Sequence, residues 1–338
     1  MSAIKASGLG IGEPEATETQ DSNLLAAARK GDGEAFRALV DPHMRALHVH
    51  CYRMLGSFED ADEALQDGLL RAWRALNTYR GQAPLRHWLY RITTNASLKL
   101  IDKRGRQPVP TGEISHLQPY PDRLLDLLPD IDTDPAAAVE RRESVALAFI
   151  TALQRLPASQ RAVLILREVL AYRADEVAGL LETTVPAVNS ALQRARATLA
   201  ASPPDPAGVL APLSEEEQRT LARFVDAWQR RDLPALAATL RDDVALTMPP
   251  ELVEILGRND VMEFLSTVPA DGRLEEIRLV PIRANGQSAL AAYLPDDAQQ
   301  HHRYGIMVFT VADDGIAAIT AFPDAGLFGR FDLPDTLA

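Results

Sequence analysis

Apolar residues recur at helical spacing over two long segments of the chain. Within residues 22–104 the apolar stripes run through Leu25–Val40, Ala61–Leu76 and Leu85–Ala96, with neighbouring members mostly three or four positions apart. This spacing is typical of amphipathic helices. The same reasoning predicts a second all-helical unit over residues 139–201.

The pattern changes after residue 213. The spacing predicts helices at 215–231, 234–240 and 259–267. The remaining apolar runs have the pattern of strands. These runs lie at 244–248, 274–282, 288–294, 304–311 and 316–322. Asp313-Asp314-Gly315, between the last two runs, is a hairpin signal. Helices followed by antiparallel strands predict an α+β domain over 213–330 with a tail at 331–338.

Aperiodic segments precede and separate these units. Residues 1–21 are polar and predict a disordered leader. Residues 105–138 predict an extended acidic linker, because 107–138 hold six prolines and six acids against one arginine. A shorter proline-rich linker is predicted over 202–212.

The net charge of −12 is distributed unevenly. Residues 71–106 carry nine bases and one acid, whereas the residues beyond 213 carry 21 acids and 11 bases. The negative net charge therefore comes largely from the C-terminal third, and residues 71–106 form a basic patch. Such a patch suits a polyanionic partner such as nucleic acid.

Cysteine content and hydropathy indicate the cellular compartment in which the protein works. The single cysteine, Cys51, excludes an intramolecular disulfide and fits a reducing environment. No apolar run reaches the roughly 18 to 20 residues that span a bilayer, and residues 1–20 lack the regions of a signal peptide. We therefore expect a soluble, cytoplasmic protein without membrane contact.

The sharpest local pattern is a helix-turn-helix between Ala171 and Ala200. Glu182–Thr184 forms the turn, and the second helix turns an apolar stripe inward at Val185, Val188, Leu192, Ala195 and Leu199. The opposite face of that helix carries small, polar and cationic groups, which major-groove reading requires. They are Pro186, Ser190, Gln193, Arg194 and Ala197. A helical hairpin in an ordinary bundle is the alternative.

Two further surfaces lie between Phe58 and Arg106. The helix at 58–76 leaves Glu59, Asp60, Asp62, Glu63, Gln66 and Asp67 exposed, either as a solvated face or as a docking face for a basic partner. Cations then alternate with aromatic residues from Tyr79 to Arg91, as single-stranded DNA binding needs. The loop at 80–85 could shape a pocket for an extruded base, although Trp88 equally fits a core position.

A metal site is not indicated. His48, His50 and Cys51 lack a further ligand nearby, so helix packing is the favoured interpretation. We expect neither a metal nor a cofactor.

Together these features resemble the extracytoplasmic-function sigma factors of bacterial RNA polymerase, over about residues 22–201. One block, Tyr52–Asp67 with Arg71–Arg74, resembles the polymerase-clamp-binding helix of that family. The other starts at Leu156-Pro157 with Arg161 and leads through Glu176–Ala178 to Ser190–Arg196. It resembles the reader of the −35 element.

The resemblance implies two partners, core RNA polymerase and promoter DNA, read as a −35 duplex and a −10 single strand. It implies polymerase binding by Asp60, Asp62, Glu63, Gln66 and Asp67. It implies contacts to the −10 region by Arg80, Gln82, Arg86, Trp88, Arg91, Asn95, Lys99 and Lys103. It implies contacts to the −35 element by Pro186, Ser190, Gln193, Arg194 and Arg196. The acidic linker would pass near the RNA exit path.

The C-terminal third resembles the SnoaL-like, ketosteroid-isomerase-like cone fold, which some of these sigma factors carry as an extension. The matching residues are Arg223–Trp228, Asp232–Leu236, Asp242–Val244 and Met248–Pro250. Phe224 and Met248 occupy the positions of the two catalytic groups of the isomerases, so we expect no enzyme activity. A pocket of Phe224, Trp228, Met248 and Phe264 would still admit an apolar small ligand.

These expectations combine into a multidomain fold: two all-α sigma domains, the second a helix-turn-helix, followed by an α+β cone-fold domain. The cone domain is expected to regulate in cis by docking on the basic patch, with residues 328–334 as a latch. One alternative is a one-component helix-turn-helix regulator with a ligand-sensing domain. Another is a SnoaL-type enzyme with a DNA-binding appendage.

Overall fold

The computed structural model describes residues 14–105, 116–126, 144–201, 215–251 and 253–337. They form two helical domains and one sheet domain that share an apolar interface. The predicted segment 202–212 and most of 105–138 lie outside the described residues.

In the described residues, the first domain contains five α-helices. They are α1 (Pro14–Arg29), α2 (Gly33–Val40), α3 (Met44–Leu55), α4 (Phe58–Ala75) and α5 (Leu85–Arg104). Helix α1 begins within the predicted leader, and proline suits the first helical position because its missing N–H has no partner there. Ser57 caps α4, since its hydroxyl accepts a hydrogen bond from the Asp60 backbone N–H.

Helices α4 and α5 approach closely at Gly68. A Cβ atom built there would lie 3.0 Å from Cγ2 of Thr93 on α5. Thr93 is buried and cannot move aside easily, because its hydroxyl donates to the Leu89 carbonyl at 3.0 Å. Glycine at this position therefore keeps the acidic helix and the basic helix in direct contact.

Part of the predicted linker is packed against the protein rather than extended. Residues 116–126 include a short helix, α6 (Asp122–Leu125), and bury both Leu117 and Tyr120. The Tyr120 ring packs between those of Tyr52 and Phe58, with centroids 4.8 and 5.3 Å away. The proline count predicted a lack of regular structure, but these apolar side chains anchor the segment.

The second domain contains α7 (Leu147–Gln154), α8 (Ala158–Leu164), α9 (Ala174–Leu180) and α10 (Val185–Ala201). A π turn at Ile165–Val169 continues α8. The backbone N–H of Ala187 donates to Oγ1 of Thr184 at 3.3 Å, so threonine caps the start of α10. The predicted helix-turn-helix corresponds to α9, its turn and α10.

Among its described residues, the C-terminal domain begins with the α-helices α11 (Glu215–Gln229) and α12 (Leu233–Ala237), and the α-helix α13 (Arg258–Thr267) follows later. Its strands are β1 (Leu240–Thr247), β2 (Glu254–Leu256), β3 (Arg278–Ala284), β4 (Gln287–Pro295), β5 (His301–Ala312), β6 (Gly315–Phe322) and β7 (Thr336–Leu337).

The sheet order is β2-β1-β6-β5-β4-β3, with β7 paired to β5. The β1–β6 pair is parallel, which the expectation of an antiparallel sheet did not include. Strand β7 lies in the predicted tail, so the sheet extends beyond residue 330. The predicted hairpin at Asp313-Asp314 joins β5 to β6.

Both faces of this sheet are buried, and they belong to different cores. Leu290 and Phe309 pack toward α11 inside the cone. Ala289, Tyr293 and Val308 belong instead to the apolar cluster of the two helical domains. The alternation of strand side chains thus joins the C-terminal domain to the rest of the protein along one sheet face.

Candidate nucleic-acid interface and its closing contacts

The acidic surface of α4 is smaller than the sequence predicted. Asp60 is only 2% exposed, and its carboxylate pairs with Arg104 at the end of α5, so Asp60 is not part of an open docking face. Arg104 also pairs with Glu63. Glu63 and Gln66 are exposed, whereas Asp62 and Asp67 are intermediate in burial.

The basic surface of α5 and the loop before it is open at most of the predicted positions. Arg80, Gln82, Arg86, Lys99 and Lys103 are exposed, and Arg91 and Asn95 are half-buried. Trp88 differs, because it is 7% exposed and its ring lies 5.3 Å from that of Tyr79. Trp88 is therefore a core residue here and is not accessible to an unstacked base.

The outward face of α10 carries every residue predicted for it. Pro186, Ser190, Gln193, Arg194 and Arg196 are exposed, and Arg196 pairs with Glu168 at 2.7 Å. Val185 was predicted to point inward but is 38% exposed, because it occupies the first turn beyond the packed part of the helix. Asn189, which the sequence analysis did not select, is also exposed on this helix.

Buried polar groups hold the two helical domains together. Arg53 on α3 is 5% exposed and donates to the carbonyl and hydroxyl of Ser144, at 3.2 and 2.6 Å. Arg161 on α8 donates to the Met54 carbonyl in return. Beside the basic surface of α5, the rings of His87 and Tyr90 contact Tyr172, with centroids 4.6 and 6.0 Å away.

The tip of the β3–β4 hairpin lies between all three parts of the protein. Asn285 is fully buried, and its Nδ2 donates to the Tyr52 hydroxyl at 2.8 Å and to the Val145 carbonyl at 2.6 Å. Its Oδ1 accepts from the Tyr120 N–H at 2.8 Å. One carboxamide thus joins the first domain, the linker and the second domain to the sheet.

Neighbouring residues extend this junction. The backbone N–H of Gly286 and the Nε of Arg283 donate to the Asp122 carboxylate, at 2.7 and 2.8 Å. Burial raises the pKa of Asp122, although both of these hydrogen bonds oppose the change. Gln287 accepts from the Leu147 N–H at 3.0 Å, at the start of α7.

Asn285 and Gly286 occupy the two-residue loop between Ala284 and Gln287, with φ of 58° and 72°. Asn-Gly favours such a turn because both residues tolerate positive φ. This dipeptide was the sequence signal for the junction, and the sequence analysis did not select it.

A second contact between the domains comes from the C-terminal segment. Arg330 pairs with Glu59 at the start of α4, and its guanidinium carbon lies 5.0 Å from the centroid of the Phe58 ring. Arg123 of the linker donates to the Arg330 carbonyl. The cone domain was predicted to dock on the basic patch, whereas these contacts of the latch segment lie at the acidic helix and the linker.

The predicted pocket residues lie in the apolar core of the cone domain. Phe224 and Trp228 are buried, Met248 and Phe264 are half-buried, and all four pack in the second core. The Phe224 ring contacts those of Trp228 and Phe309, with centroids 5.7 and 5.1 Å away. The Nε1 of Trp228 finds no acceptor among the described residues.

The histidines near Cys51 have separate structural partners. His48 hydrogen-bonds the Tyr120 hydroxyl and His50 the Thr94 hydroxyl, both at 2.8 Å. Burial, with Arg53 nearby, lowers the pKa of His50 to about 3. Within the described ranges, no group of three or more potential metal-ligating side chains converges. In the same part of the chain, no helix is both long and apolar enough to cross a membrane.

Comparison with known proteins identifies all three domains. Residues 39–107 match Sigma-70 region 2, residues 146–199 match Sigma-70 region 4, and residues 221–319 match the SnoaL-like domain. The ECF RNA polymerase sigma factor SigG of Mycobacterium tuberculosis is 38% identical over 326 residues, covering 91% of this chain and 86% of SigG. SigM of that organism is 35% identical over 183 residues, covering 54% of this chain and 84% of SigM.

The crystal structure of Mycobacterium tuberculosis extracytoplasmic function sigma factor SigJ has the same overall fold. Its TM-score is 0.59 at 23% identity, covering 86% of this chain and 97% of SigJ. Region 2, region 4 and the cone domain in this order define a sigma factor with a C-terminal extension. The chain belongs to the ECF RNA polymerase sigma factors.

Family membership implies core RNA polymerase and promoter DNA as partners. It supports sigma-factor function, the direction of core polymerase to promoters, over the function of a one-component regulator. The reason is that the match includes region 2 as well as the helix-turn-helix.

The burial of Asp60 changes what charge removal on α4 should do. We expect Asp60→Asn to lower the free energy of unfolding by about 1–3 kcal/mol, because Arg104 loses a buried ionic partner. Asp67→Asn removes a partly exposed i,i+4 pair with Arg71 and should cost about 0.5 kcal/mol or less. Urea denaturation measures both. Equal stability of the two variants would contradict the assigned role of Asp60.

Proposed function

We propose that the C-terminal domain of this sigma factor regulates it in cis by holding its two DNA-binding domains in a closed form. The observation that carries this proposal is the buried Asn285 carboxamide, which hydrogen-bonds Tyr52, Tyr120 and Val145 at once. Opening would have to break these bonds, and buried polar groups left without partners cost about 1–3 kcal/mol each.

The distance between promoter elements supports the interpretation of this form as closed. The −10 and −35 elements lie about 25 base pairs apart, or about 85 Å along B-DNA at 3.4 Å per base pair. Here α5 contacts α9, and α10 packs on α9, so the axes of the two reading helices lie within about two interhelical spacings of each other, roughly 20 Å. Both elements cannot be bound at once in this arrangement.

Polymerase binding is proposed for the accessible part of α4, namely Asp62, Glu63, Gln66 and Asp67. Asp60 would act indirectly, by holding Arg104 and with it the end of α5. Arg330 already pairs with Glu59 at the start of the same helix. A polymerase surface approaching α4 would therefore compete with the Arg330 contact.

For the −10 element we propose backbone contacts from Arg91, Asn95, Lys99 and Lys103. Base capture would fall to the loop with Arg80, Gln82 and Arg86. Tyr79 supports this loop, since its hydroxyl donates to the Ala83 carbonyl at 2.8 Å. At the −35 element, Pro186, Ser190 and Gln193 would face the bases of the duplex, while Arg194 and Arg196 would contact phosphates.

We further propose that the cone domain is not an enzyme and that the protein acts in the cytoplasm, where polymerase and promoters are. Phe224 can neither donate a hydrogen bond to an oxyanion nor transfer a proton, and Met248 cannot act as a base. A small apolar ligand in the cone would pack against these side chains, with Trp228 Nε1 as a free donor.

Disrupting the junction should release activity. We expect Asn285→Ala to raise run-off transcription by core polymerase several-fold, because closure loses three side-chain hydrogen bonds. Asn259→Ala, at an exposed position on α13, is the matched control and should leave transcription unchanged. Point variants are preferable to truncation, since removing residues 328–338 would uncover the buried Tyr293 ring. Transcription that is equal for both variants would refute in-cis closure.

Two substitutions on α10 separate base reading from phosphate binding. Gln193→Ala should relax preference at one position of the −35 element, at a cost of about 1–3 kcal/mol for a bidentate contact. Arg194→Ala should weaken binding to all promoters alike and flatten its salt dependence. Fluorescence anisotropy with single-base promoter variants measures both. The same shift in specificity for both variants would show that this division of roles is wrong.

A further inference from the structure

A groove lies on the outside of the cone domain, between α11 and the edge strand β3. It has a volume of about 610 Å³, within the usual range of about 300–1,000 Å³ for small-molecule sites. Leu221, Ala222 and Val225 of α11 and Pro281 and Ile282 of β3 give it an apolar lining. Its α11 wall, from residue 218 to 229, is about 16 Å long at 1.5 Å per residue.

Arg283 also lines this groove. Its Nε donates to Asp122 at 2.8 Å and its Nη2 to the Gly286 carbonyl at 3.1 Å. Its Nη1 has no hydrogen-bond partner among the residues that the structure describes. The guanidinium therefore joins the groove on one side to the linker junction on the other.

The acids beside the groove already have partners. Glu217 accepts a hydrogen bond from the Ser288 hydroxyl at 2.8 Å, and burial raises the pKa of Glu217, although Ser288 and the nearby charge of Arg283 oppose the change. Asp226 pairs with Arg230. Arg283 is thus the group best placed to receive a charged ligand atom.

We infer that this groove binds an amphiphilic carboxylate, whose hydrocarbon body lies along α11 and whose head group contacts Arg283. Guanidinium and carboxylate groups pair through charge-assisted hydrogen bonds. The apolar lining accounts for the body of the ligand.

Binding would also weaken closure, a consequence that rests on the function proposed above. Asp122 is buried, and Arg283 is its ionic partner. A ligand carboxylate brings a second negative charge to the guanidinium that compensates Asp122, so the linker contact weakens. The ligand would act as an opening signal located outside the cone interior.

Decanoate is a suitable probe, measured by isothermal titration calorimetry on the full chain. We expect saturable one-to-one binding, at least about tenfold weaker for decanol and for decyltrimethylammonium. Ala222→Trp fills the groove without touching the junction and should weaken decanoate binding by about tenfold or more. Ala235→Trp, on the exposed face of α12, is the matched control and should bind normally.

Three results would overturn the inference: no saturable binding, equal binding of the uncharged or cationic probe, or equal binding by Ala222→Trp and the control. A second measurement tests the coupling, since saturating decanoate should raise run-off transcription by the wild type but not by Ala222→Trp. Binding without this rise overturns the coupling and leaves in-cis closure intact. A response of transcription to Asn285→Ala without decanoate binding refutes the groove alone.

Discussion

The arrangement of the three domains depends on one buried carboxamide. Asn285 satisfies both amide protons and its oxygen with groups from three separate parts of the chain. A side chain in this position cannot lose one partner without burying an unpaired polar atom. The three hydrogen bonds therefore form and break together. The Asn-Gly turn is what presents the carboxamide, because positive φ at both positions turns the hairpin tip toward the helices.

The apolar face of the sheet extends this constraint over a wider surface. Tyr293 and Val308 pack in the same cluster as the helical domains, so separating the domains would expose apolar side chains as well as break hydrogen bonds. A partner surface that covers part of this area would lower that cost. Core polymerase is the partner that family membership implies, and its proposed docking helix α4 is the one that Arg330 contacts.

Local patterns predicted the fold class correctly, with helical sigma domains followed by a sheet-containing domain. The helical spacing of α10 correctly indicated that Ser190, Gln193 and Arg194 face outward, because burial along one helix follows its own periodicity. The burial of Asp60 could not be inferred in this way, since it depends on Arg104, 44 positions away. The domain junction depends on pairs such as Asn285 and Tyr52, which are 233 positions apart. The periodicity of apolar residues within one helix or strand carries no information about such pairs.

The separation between the helical domains tests this account most directly. Fluorophores on Asn77→Cys and Thr198→Cys, both exposed positions, would report it by energy transfer. Burial raises the pKa of Cys51 to about 12, so the native thiol should not compete for the label. The account predicts one short distance in the free protein. It predicts an increase of tens of ångströms on binding core polymerase, because the −10 and −35 elements lie about 85 Å apart along promoter DNA. An unchanged distance in the complex would contradict it.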